Sequence, residues 1–175
     1  LGYLDADGFL YVLGRVKSLL IADDGEKYSP EQIEEAITGA SPYIEQIMLY
    51  NNQSPYTTAL LVPSREAVRG WLKQAGLSAA TPEGQEAVLR LLETELARHR
   101  EGGDLGGAFP GRWLPSAVAV LGEGFTEQNH LLNSTMKMVR GRIAEFYRTR
   151  LDDLYTAEGR PILNARNRTI IARME

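Results

Sequence analysis

Up to position 62 the apolar residues of this chain come in short runs cut by turn residues, and from Ser64 onward they recur at helical spacing. Short apolar runs bounded by Asp, Asn, Gly and Pro read as strands, whereas apolar positions three and four apart read as one face of a helix. A chain that switches between the two periods, with a helix signal already set among its strands, predicts an α+β fold: a small sheet with helices packed across it. Runs at 1–3 and 9–13 flank Asp5-Ala6-Asp7-Gly8, the turn chemistry of a β-hairpin. "DADG" also begins like a calcium loop, but the downstream ligands and glutamate of such a loop are absent. A strand is predicted over 18–22, then a tight turn at 23–26 in which Gly25 supplies a positive φ. Ser29 as N-cap, Pro30 in the first turn and Gln32 three residues on predict a helix with Ile33, Ala36 and Ile37 inward, ended by Gly39.

Strands at 44–51 and 57–62, joined by a polar turn over 51–55, predict an antiparallel pair. Val68, Trp71 and Leu72 mark one helix; Val88, Leu91, Leu92 and Leu96 mark another that starts at Thr81-Pro82-Glu83. Residues 101–111 hold five glycines and no periodicity, which predicts a flexible, partly disordered loop. A strand follows at 117–121. From Thr135 through Ile143, Phe146, Tyr147, Leu151 and Leu154 the spacing predicts one docked helix. The tail over 161–175 gives no readable pattern.

With 175 residues, 43% hydrophobic and 24% charged, the chain has the size and balance of a domain with a real core. It contains no cysteine and only two histidines, His99 and His130, which excludes a thiolate nucleophile and a Cys-based zinc site. The net charge of −4 offers no general attraction to nucleic acid. Basic residues gather late, at Arg140, Arg142, Arg148 and Arg150, where a solvated helix face is the plain reading and an anionic cofactor or acidic membrane surface the functional one. No run approaches the roughly 20 apolar residues of a membrane helix, so the expectation is a cytoplasmic chain with at most peripheral membrane contact. A start at Leu1, with neither methionine nor a signal pattern, reads as an internal cut.

Two stretches carry a family resemblance. "LGYLDADGFLYVLGR" resembles the "xGxxDxDGxLxxxGR" that follows the Thr-Gly-Asp of AMP-forming acyl-CoA synthetases, and "LLNSTMK" resembles the "LLTPTxK" of their long-chain fatty-acid branch. The resemblance implies the mobile carboxy-terminal lid domain of such an enzyme: residues 1–16 the end of a large amino-terminal domain, 17–155 the lid, 156–175 a tail without an assigned role. It implies an acid–thiol ligase that turns a fatty acid, ATP and coenzyme A into acyl-CoA through an acyl-adenylate, with Mg²⁺ on the triphosphate, and a fragment that is inactive alone. The implied partner is the amino-terminal adenylation domain of the same chain. Rival readings are a relative that loads an acyl-carrier protein, and a non-catalytic interaction module on the same scaffold.

The resemblance also implies roles for four residues. Lys137 would be the catalytic cation that enters the active site during adenylation, where carboxylate attack on the α-phosphorus gathers negative charge on non-bridging oxygens. From spacing alone Lys137 reads as a solvated surface lysine. Arg15 would hold the nucleotide ribose, for which its fork of donors is suited. Lys17 would be the hinge whose φ/ψ change swings the lid between two poses. Gly25 would let backbone approach the pantetheine arm of coenzyme A in the second pose. No metal ligand is implied. Asn133 and Ser134 stand where the family has threonine and proline, and Asp24 where many relatives have glycine. Glu34 reads as part of helix capping.

Overall fold

A computed structural model describes residues 2–4, 6–12 and 18–174. The expected hairpin is present: β1 (Gly2–Leu4) pairs antiparallel with β2 (Leu10–Val12), Gly2 opposite Val12. A second small sheet has the order β4-β3-β6, with β3 (Leu20–Ala22) antiparallel to β4 (Lys27–Tyr28) and parallel to β6 (Asn52–Ser54). The polar segment read as a plain turn thus supplies a short strand.

The central sheet has the order β5-β7-β8. β5 (Ile44–Tyr50) runs antiparallel to β7 (Thr58–Pro63), as the sequence predicts, and β7 runs parallel to β8 (Ala117–Val120). A parallel partner requires a crossover, here built from α2 (Arg65–Ala75) and α3 (Pro82–Ala97). Alternation along the strands splits the core in two. Ile47, Leu49, Leu61, Val118 and Val120 face α1 (Pro30–Ala40), α2, α3 and α6 (Ala165–Ala172). Met48, Leu60, Val62 and Ala119 face Leu131, Ile143 and Leu151 on the other side. Burial on both faces explains why the run over β7 is continuously apolar.

Local signals set most helix ends. Ser64 accepts from the N–H of Ala67, Thr81 accepts from that of Gly84, and Gly76 closes α2 in the left-handed region. The capping box read at Ser29 does not form: the Ser29 side chain makes no cap bond, and α1 runs through Gly39 to Ala40. Pro30 in the first turn and the fully buried Ile33 and Ile37 hold α1 on β5 instead. The glycine-rich loop is also more ordered than its composition suggests. The N–H of Gly103 bonds the Arg100 carbonyl, that of Leu105 bonds the Arg98 carbonyl, and the Arg98 guanidinium pairs with Asp104 at 3.0 Å.

The late arginines are mostly not a free basic face. Arg150 donates to the carbonyl of Val120 and to Asn167, Arg142 donates to the carbonyl of His130, and Arg140 is paired with Glu34. Arg148 alone of the four is simply exposed. Asn167, fully buried on α6, acts as a short stand-in strand beside the open edge of β8. Its Oδ1 accepts from Val120 N–H at 2.9 Å and its Nδ2 donates to the carbonyls of Val118 and Ile162. With Ile171 and Met174 in the core, the tail is integral to the fold. No helix among the described residues is long and apolar enough to cross a membrane.

Candidate functional site: the Lys137 turn and the Gly25 loop

Lys137 lies on a turn and not on the helix predicted from Thr135. The segment is closed by a single antiparallel bridge between Leu132 and Met138. Within it, Asn133 Oδ1 accepts from the N–H of Thr135 at 3.0 Å, the hydroxyl of Thr135 at 2.8 Å and the N–H of Lys137 at 3.0 Å. The N–H of Asn133 in turn bonds the Lys137 carbonyl at 2.9 Å. Both backbone polar groups of Lys137 are therefore held by one residue. A side chain that captures these amides competes directly with helix hydrogen bonding. Met136 completes the turn at φ 59°, a left-handed conformation uncommon outside glycine and asparagine. The helical periodicity is correct further on, but α4 (Arg140–Phe146) and α5 (Arg148–Asp153) begin only after the turn is finished and break at Tyr147.

The base of the turn is tied to the core. Arg140 forms a two-pronged pair with Glu34 of α1, one prong at 2.8 Å, and Glu34 Oε1 also accepts from the N–H of Leu49 on β5 at 2.7 Å. Glu34 is thus buried structural glue between α1, β5 and α4, and it takes no part in helix capping. The Lys137 side chain is exposed and, among the described residues, enters no ion pair. It borders a cleft of about 360 Å³ whose other walls include Glu31, Glu35, Glu45 and Met136. Chemically, this is a cation with an anchored backbone and a free ammonium, able to donate to anionic oxygens brought to it.

Gly25 occupies the tight turn that its sequence predicts, at φ 84°, with its N–H on the Ala22 carbonyl and nothing within 4 Å of where a side chain would project. Its neighbours are cross-braced. Asp24 accepts from the N–H of Glu26, and both carboxylates reach Arg112, Asp24 at 2.8 Å and Glu26 at 2.5 Å. The Glu26 N–H above all holds the Asp24 carboxyl below its ordinary pKa; desolvation opposes it, and the Arg112 guanidinium adds to the lowering. No residue of this loop lines the Lys137 cleft. Arg15 and Lys17 lie outside the described residues. The roles of Asn133, Glu34 and Arg112 escaped the sequence reading. Only Asn133 carried a local signal, as an Asx residue followed two and four positions on by amides it could capture. Among the described residues no group of three or more His, Cys, Asp or Glu could hold a metal ion.

The three-stranded sheet and its crossover helices have the fold of a domain of the adenylate-forming enzymes. Residues 17–87 match the family model of the AMP-binding enzyme C-terminal domain, and that segment belongs to the family. Over 173 residues it is 30% identical to the long-chain-fatty-acid–CoA ligase ACSBG1 of Bos taurus, covering 88% of this chain and 23% of that protein. Over 160 residues it is 30% identical to long chain acyl-CoA synthetase 8 of Arabidopsis thaliana, covering 89% and 21%. Among solved structures, the adenylation domain of a carboxylate reductase from Mycobacterium chelonae superposes with a TM-score of 0.67 at 27% identity, covering 87% of this chain and 24% of that one. The chain therefore spans less than a quarter of each of these three proteins.

Proposed function

We propose that this domain is the lid of a long-chain fatty-acid–CoA ligase, which activates a fatty acid with ATP and passes the acyl group to coenzyme A. The observation that carries the reading is Lys137: an unpaired ammonium on a turn whose backbone is fixed by Asn133 and whose base is fixed by the Arg140–Glu34 pair. Such a group can be brought to the α-phosphate of ATP as a body, with little of the ordering cost a floppy lysine would carry. In this reading Lys17 is the hinge, Arg15 grips the ribose, and the Gly25 loop offers its bare backbone to the pantetheine arm once the lid has turned. The turn and the loop line no common cleft, which accords with one acting in each pose.

Lys137→Ala in the full-length enzyme tests the reading. Adenylate formation should fall by about 10²-fold or more, the scale of losing one preorganised donor to a developing oxyanion. Acyl-CoA formation from preformed acyl-adenylate should continue at nearly the original rate. Near-normal adenylation in the variant would remove Lys137 from the chemistry, and Arg140 could not replace it without breaking its pair with Glu34. A second reading has a carrier-borne thiol as acceptor in place of coenzyme A. Supplying the full-length enzyme with coenzyme A or with a pantetheinylated carrier protein separates the two acceptors.

A further inference from the structure

The Gly25 loop is braced from a distant part of the chain. Arg112 and Trp113 sit in a 3₁₀ turn (Gly111–Trp113) 88 and 87 residues from their partners in the loop. Arg112 spans Asp24 and Glu26, the residues on either side of Gly25, and Trp113 Nε1 donates to Glu26 at 2.9 Å. The turn itself is firmly seated. The Trp113 ring stacks on Tyr28 at 5.2 Å and 6°, the Tyr28 hydroxyl meets Thr57 and accepts from Asn51, and the Thr57 hydroxyl bonds the Arg112 carbonyl at 3.2 Å. Thr57 and Tyr28 are buried, so the guanidinium is presented from a fixed root.

Charge makes this arrangement matter. The segment 23–27 carries three carboxylates and one lysine, a net of −2. A loop of that charge repels an acceptor that is itself polyanionic, and repulsion at a partly solvated surface raises the concentration needed for encounter. Arg112 brings the local sum to −1 and ties the two carboxylates that flank Gly25 to one fixed guanidinium.

We propose that Arg112, seated by Trp113, is a positioning and charge-neutralising residue for the thiol-transfer half-reaction, holding the Asp24-Gly25-Glu26 loop open to an acceptor bearing phosphates. This rests on the reading of the domain as a ligase lid.

The test uses the full-length enzyme and its two half-reactions. Arg112→Ala should leave adenylation within about twofold and raise KM for coenzyme A about fivefold, the scale of two exposed ion pairs. It should have less effect on pantetheine, which lacks the nucleotide phosphates. The KM defect should shrink in high salt. Adding Asp24→Asn and Glu26→Gln to Arg112→Ala should restore coenzyme A use, because the uncompensated charges are then gone. Equal losses with coenzyme A and pantetheine, unrelieved by salt or by the neutral pair, would overturn the electrostatic role. An unchanged KM in a cooperatively folded variant would overturn the brace alone. A wild-type enzyme that makes acyl-adenylate but no acyl-CoA would overturn the ligase reading and this one with it.

Discussion

Replacing Glu34 by alanine is the most informative single perturbation of the fold, because three elements meet at that carboxylate. Glu34 is 6% exposed; it pairs with Arg140 and accepts from the N–H of Leu49 on the outer edge of β5. Removing it leaves a guanidinium and a strand amide without their acceptor. Breaking a buried pair by deleting one member costs about 3–5 kcal/mol, and an orphaned buried amide about 1–3. Those figures overlap, since both describe loss of the same carboxylate. The Arg140 side chain also keeps 19% exposure, so it can turn partly to water. The lower end, about 3 kcal/mol, is therefore the expected cost of Glu34→Ala. In a domain of this size that lowers Tm by about 6–12 °C. Glu34→Gln keeps one acceptor, which can serve Leu49 and one prong of Arg140, but loses the charge and turns an NH₂ donor toward the other prong, so at least about half the cost is expected. Pairing Glu34→Gln with Arg140→Met should recover stability, because the stranded charge is removed with its partner. Urea unfolding of the 175-residue chain, followed by circular dichroism, measures all three. A cost below about 1 kcal/mol for Glu34→Ala would refute the view that this carboxylate fastens the lysine turn to the sheet.

Two further outcomes follow from the packing. Asn167→Ala strips the partners of Val118, Val120 and Ile162 from the edge of β8, and should cost about 3 kcal/mol or more in the same assay; a loss under about 1 kcal/mol would mean that water replaces the amide at this edge. His99 is buried, and burial followed by the neighbouring Arg98 pushes its pKa below the ordinary value, with Asp104 and Glu95 opposing. Its neutral form is favoured by folding, so the stability it contributes is complete above the unfolded value of about 6.5 and declines as pH falls below that towards the lower folded value. His99→Gln should flatten the fall in urea midpoint between about pH 7.5 and 5.5, and an unchanged slope would assign the fall to other groups.

What could be read from the sequence was what depends on neighbours in the chain. The runs of β5, β7 and β8 announce burial, Ser64 and Thr81 announce helix starts, and the Asp-Gly of the 23–26 turn announces a positive φ; each signal acts within about four residues. The unread features depend on distance. Glu34 finds Arg140 across 106 residues, Asp24 finds Arg112 across 88, and Asn167 finds Val120 across 47. In each case a polar side chain takes a partner that only the finished sheet brings near. Nothing in the hydrophobic period marks such a choice, so the arginines read as a solvated face and the tail as featureless.

The error at Lys137 has a different origin. Its signal was local but ambiguous, because the apolar spacing of a helix and the Asx chemistry of a turn overlap at Asn133–Lys137, and periodicity counts only the first. The hydrogen bonds decide it: Asn133 holds three donors at 2.8–3.0 Å, more than a first helical turn would give those groups. The consequence reaches function. On the first turn of a helix Lys137 would share the orientation of α4, whose inward face is fixed by Ile143 against the core. Lifted onto a turn closed at Leu132 and Met138, it stands apart from that face with its backbone still anchored. An exposed, anchored cation is what a residue must be if it is to meet a phosphate on another domain.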